Sequence, residues 1–147
     1  MSIDRPFREP NFLSRQRLTE TVARLTDADL VRQAPNGWTV ANSLAHVAFW
    51  DRRAFVLAAK WQRGGTAAPS PVDLDVLNDA VDYLIRLVPP RLAAEEAVAA
   101  AEAIDRILED VGDDILARIL ETSTPLANRS AHRISHLDEI EALVGRH

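Results

Sequence analysis

The stretch WTVANSLAHVAFWDRR, residues 38–53, decides how the rest of the chain is read. Thr39 is a residue type that caps helix starts through its side-chain oxygen. The preceding APNGW (34–38) carries turn residues. From Thr39 the apolar positions recur with the 3.6-residue period of a helix: Val47, Trp50, Leu57 and Trp61 share one face, and His46 lies within that face. The spacing predicts a helix continuing to about Arg63, closed by the linker GGTAAPSP (64–71).

Working outward, the same period dominates and no window alternates as a strand does. A first helix is expected from Asn11 to Leu25, with Phe12, Leu18, Val22 and Leu25 inward, followed by TDADL (26–30) as a short turn capped by Thr26. Beyond the linker, VDLDVLNDAVDYLIRLV reads as helix until Pro89-Pro90, which cannot continue one. RLAAEEAVAAAEAIDRILEDV then restarts and ends near Gly112. The last helix is punctuated by Thr124 as cap, Pro125 at its first position and Gly145 at its end. Four long helices with extra turns in the connections imply an all-α four-helix bundle, in one domain over residues 1–147.

Composition narrows the function. The net charge is −5 and the sixteen arginines are spread along the chain, so no basic patch points to nucleic acid. The absence of cysteine excludes disulfides, a thiolate nucleophile and a cysteine zinc site. The start, MSIDRPFREPNF, is too charged for a signal peptide. No window approaches the roughly 18 apolar residues of a membrane span. A cytoplasmic location is expected. Lys60 is the single lysine and alanine abounds, the usage of a GC-rich genome.

The chemistry concentrates in AHRISHLDEI, residues 131–140. Residues i and i+4 of a helix lie one above the other. Leu137, Ile140 and Val144 mark the buried stripe, with Ile134 and Leu143 at its margins, and His132 and His136 fall beside Leu143 at its edge. Two readings stand open: a solvated polar edge, or two imidazole ligands of one divalent ion. His46 carries the same choice, between a neutral core histidine bonded to a carbonyl and a third ligand from another helix. Three histidines with one position left over would be the catalytic pattern. The cavity such a site needs would lie between the second and fourth helices, walled near Trp50 and Leu143.

Two segments carry a resemblance. GWTVANSLAHVAFWDRR and TPLANRSAHRISHLDEI, with DVLNDAV (75–81) between them, resemble the DinB / YfiT-like superfamily, which includes the metal-binding domain of mycothiol-dependent maleylpyruvate isomerase and bacillithiol transferases. The resemblance implies a four-helix bundle in up-down-down-up order and a divalent metal, zinc or nickel, held by His46, His132 and His136. It also implies a homodimer through bundle faces. Glu139 stands at the family's Gln position after the last ligand, where it could orient a ligand imidazole. The family's His-Arg-Gly-Gln wording is here His-Leu-Asp-Glu, a departure that touches substrate contacts. Asp51 and Glu139 are the general-base candidates. Arg53, seven residues beyond His46, could attract an anionic substrate, and Trp50 could line the pocket; no residue is singled out as catalytic.

The function implied is that of a metal-dependent transferase, isomerase or hydrolase acting on a small molecule with a low-molecular-weight thiol as cosubstrate. Having no cysteine, the chain would receive its sulfur from outside; the GC-rich usage favours mycothiol. The alternatives are a metal-binding or stress-response module without turnover, and a helical interaction protein whose histidines are structural.

Overall fold

The computed structural model describes residues 2–145. The terminal His147 lies outside them. The elements in order are α1 (Arg8–Arg24), α2 (Asp27–Leu30), α3 (Val40–Gly64), α4 (Leu74–Ile85), α5 (Pro90–Asp110), α6 (Asp113–Thr122), α7 (Thr124–Ala127) and α8 (Ser130–Val144). The long helices α1, α3, α5 and α8 form the bundle; α1 packs on α5 and α8, and α3 packs on the same two.

Directions follow from which residues meet. One core cluster joins Val40–Ala48 of α3 to Ala93–Ala101 of α5, and a second joins Ala54, Ala58 and Trp61 to Ile104 and Leu108. These helices therefore run parallel, with α4 in the long crossover between them. Phe7, just before α1, meets the C-terminal half of α5, whereas Leu25 meets its N-terminal half, so α1 opposes α5. Leu137, Ile140 and Val144 pack with the N-terminal half of α3, so α8 opposes α3. The order is up-down-down-up, as the resemblance implies. Small residues permit the close α3–α5 approach: Ala93, Ala94, Ala97, Ala100 and Ala101 are all fully buried.

Local chemistry sets the ends. The Thr39 hydroxyl accepts from Asn42 N at 3.0 Å while Asn42 Oδ1 accepts from Thr39 N at 3.0 Å, a reciprocal capping box. Gly65, at φ 74°, takes the left-handed conformation that ends α3. Among the described residues no helix is long and apolar enough to cross a membrane.

Three sequence expectations are corrected. Phe12 is half exposed, against the Arg15 guanidinium; the buried stripe of α1 is Asn11, Ser14, Leu18 and Thr21. Residues 113–122 form a helix, α6, that the sequence reading leaves unassigned. The last helix does not begin at Thr124. Its hydroxyl bonds back to Leu120 O, and the chain breaks at Asn128 before α8 starts at Ser130. Asn128 Oδ1 accepts from Ser130 N and Oγ, the local competition by which Asn interrupts helices. Asn11 of α1 then fills the gap. Its amide donates to Ala127 O at 2.7 Å and its oxygen accepts from Arg129 N at 2.8 Å, serving two backbone groups that the break frees.

Candidate metal centre

His46 stands seven residues into α3, in the half of the helix that carries the core, and is buried at 8% exposure. His132 and His136 stand on the edge of α8, beside the buried stripe of Leu137, Ile140 and Val144. The antiparallel packing of α3 and α8 brings the three together. His46 Nε2 lies 3.1 Å from His132 Nε2. The ring centroids are 5.1 Å (His46–His132), 4.9 Å (His46–His136) and 4.8 Å (His132–His136) apart. One nitrogen from each lies within 4.8 Å of the others.

The donor set fits a divalent ion. Two nitrogens bound tetrahedrally at about 2.1 Å sit about 3.4 Å apart, close to the His46–His132 separation. The rings are also in the required protonation state. Burial, then His136, pushes His46 down to about 4. Burial pushes His132 down to about 3, with His136, His46, Arg129 and Arg133 adding to it. Burial lowers His136 too, against the opposing pull of Glu139. Neutral imidazoles present the lone pairs a metal needs. Among the described residues the buried Nδ1 atoms of His132 and His136 have no hydrogen-bond partner, and Glu139 Oε2 lies 3.4 Å from His136 Nδ1, in contact but short of a hydrogen bond.

A cavity of about 440 Å³ opens beside His46 and His132. Trp50, Arg53 and Ala54 of α3 form one wall, Leu74 and Asn78 of α4 another, and Pro125, Leu126 and Arg129 a third. The expected bounding by the second and fourth helices is thus incomplete, since α4 and α7 also contribute. Leu143 does not line it; that side chain packs against the core cluster. Trp50 is held by a 2.9 Å bond from Nε1 to Asn78 Oδ1. A larger cavity of about 840 Å³ lies between the start of α1 and the end of α5, away from the histidines, and is lined by ion-paired side chains such as Arg8 and Glu109.

The remaining candidates divide. Arg53 and Trp50 reach the cavity, and Glu139 reaches His136. Asp51 is placed elsewhere. It is fully buried, with Oδ1 accepting from Arg129 Nε at 2.8 Å and Oδ2 from Arg133 Nε at 3.0 Å. Arg133, fully buried as well, also donates to Asp105 at 2.8 and 3.1 Å and to Asn11 O at 3.1 Å. Sequence reasoning missed Arg129 and Arg133. A signal existed for Arg133, which stands four and seven residues before Leu137 and Ile140 and so falls on the apolar stripe. Asp51 stands likewise in register with Leu44 and Ala58. Opposite charges on two buried stripes must pair.

The family model of the DinB superfamily matches residues 13–139, a span that includes all three histidines. No curated protein and no solved structure matches the chain significantly.

Proposed function

Because the chain belongs to the DinB superfamily, we propose that it is a metal-dependent enzyme that joins a small electrophile to a nucleophile supplied from outside, as a transferase, isomerase or hydrolase using a low-molecular-weight thiol or water. The observation that carries this reading is the set of three imidazoles, from two helices, facing one another, two of which (His46 and His132) line a partly apolar cavity. His46, His132 and His136 would hold zinc or nickel; three is the number of protein ligands in catalytic rather than structural zinc sites. When bound, the ion supplies Lewis acidity that lowers the pKa of a water or small-molecule thiol toward about 7.

The chain's own residues do the rest. Glu139 would take the Nδ1–H of His136 and so fix the tautomer that leaves the Nε2 lone pair free. Leu74, Pro125 and Leu126 give the cavity an apolar wall, and Trp50, held by Asn78, shapes it further. With no cysteine, the chain offers no sulfur nucleophile, so a thiol must come as cosubstrate; the GC-rich residue usage favours mycothiol.

The test is steady-state turnover of an activated aryl halide with excess thiol, in zinc-loaded protein and in His132→Ala, each checked by circular dichroism. Thiol-dependent turnover that falls about a hundredfold in the folded variant supports the reading. Equal turnover in both contradicts it.

A further inference from the structure

We propose that the cavity beside the histidines is a carboxylate subsite, in which Arg53 and Arg129 hold the acid group of a small molecule with an apolar body. The inference rests on the proposed function only for the statement that the other end of this molecule is the reacting one.

Charge carries the argument first. Arg53, partly buried, has no carboxylate partner among the described residues. Its Nη2 donates to Ser70 O at 2.7 Å and reaches Ser70 Oγ at 3.5 Å, and its guanidinium lies 5.7 Å from the centre of the Trp50 ring. Arg129, nine-tenths buried, gives Nε to Asp51 and Nη1 to Pro125 O at 2.9 Å, leaving Nη2 without a hydrogen-bond partner among the described residues. The carboxylate of Asp51 is shared with Arg133, and that of Asp105 is shared between Arg133 and Arg15. Of these guanidiniums only Arg53 and Arg129 line the cavity, and the carboxylate that reaches Arg129, Asp51, lies behind the wall and is shared with Arg133. The cavity lining contains no acidic residue. Burial and the nearby Arg129 both disfavour the charge on Arg53, as expected of a cation awaiting an anion.

Chemistry then selects the anion. The donors left over are Nε and Nη1 of Arg53 and Nη2 of Arg129, few enough to suit the two oxygens of a carboxylate, which guanidinium groups hold in planar fashion. The other walls are largely apolar (Trp50, Ala54, Leu74, Pro125, Leu126), so the anion should carry a hydrocarbon body. The volume of about 440 Å³ lies within the range of roughly 300–1,000 Å³ for small-molecule pockets. Such a ligand would extend from the arginines toward His46 and His132.

The experiment titrates the full chain with 3-phenylpropionate and with its uncharged amide, by calorimetry and tryptophan fluorescence. It is run on protein as purified and again after zinc removal by a chelator and dialysis. Charge-assisted hydrogen bonds predict that the acid binds about tenfold or more tightly than the amide in both states. In Arg53→Gln that preference should fall severalfold, with amide binding unchanged, and Arg53→Lys should retain part of it. Equal affinities for acid and amide, an unchanged preference in Arg53→Gln, or a preference that vanishes on zinc removal would overturn the proposal. Equal competition by inorganic phosphate would also overturn it, because phosphate lacks the apolar body. Because the preference is read in the metal-free protein as well, a failure of metal binding and a failure of the carboxylate subsite give different results.

Discussion

His46 Nε2 of α3 lies 3.1 Å from His132 Nε2 of α8, although 86 positions separate them in the chain. Two imidazoles at that distance share at best one proton. A divalent cation held between them and His136 would satisfy all three lone pairs and tie two antiparallel helices together.

Metal should therefore stabilise the fold. An ion that binds only the native state adds about 2.7 kcal/mol at a hundred times its dissociation constant, roughly 5–10 °C in melting temperature for a chain of this size. Chelation should lower the melting temperature and zinc or nickel should restore it, while His132→Ala should respond to neither. A wild-type melting curve indifferent to metal contradicts a site that crosses helices.

The buried Asp51 network should be costly to break. Asp51→Ala leaves Arg129 and Arg133 without their shared carboxylate in the interior. Removing one member of a buried ion pair typically costs about 3–5 kcal/mol. Urea unfolding of the chelated protein measures it; a loss under about 1 kcal/mol would show that the network does not hold α8 to α3.

Asn11→Ala should loosen the start of α8. It removes two hydrogen bonds at the 127–129 break, and each backbone group left unpaired costs about 1–3 kcal/mol. Amide exchange at Arg129 should accelerate, and metal affinity should fall because His132 is three residues further on. Unchanged exchange at Arg129 would remove Asn11 from this role.

Acid should destabilise the metal-free fold. His46 is held at about 4 and His132 at about 3, below the ordinary 6.5 of an unfolded histidine. The unfolded chain therefore binds more protons between those values. The histidines' contribution is fully present above about pH 6.5 and is lost as pH falls toward 4 and then 3. Urea midpoints of the chelated protein at pH 7 and pH 5 should differ more in the wild type than in His46→Asn/His132→Asn. Equal differences would contradict the burial of neutral rings.

The bundle and the histidines were legible because their signals are local. Thr39, Gly65 and Pro90 punctuate helices through their own backbone chemistry, and the i, i+4 spacing of His132 and His136 needs no tertiary knowledge. What was not legible depends on partners distant in sequence. Asn11 and Ser14 occupy the buried stripe of α1, displacing Phe12 to the surface, because Asn11 serves the 127–129 break and both contact Arg133. Thr124-Pro125 reads as the start of one helix, and only Asn128 with Asn11 shows why it stops. Arg133 and Asp51 were visible as charges in register with apolar residues, but their pairing belongs to the packing of α3 on α8.

The most direct test is metal analysis of protein purified without added metal, joined to X-ray absorption at the metal edge. One zinc or nickel per chain, with imidazole nitrogens at about 2.0–2.1 Å, lost in His46→Ala while the helical fold persists, is the predicted result. A full complement of metal in His46→Ala, or a coordination shell without imidazole, would contradict it.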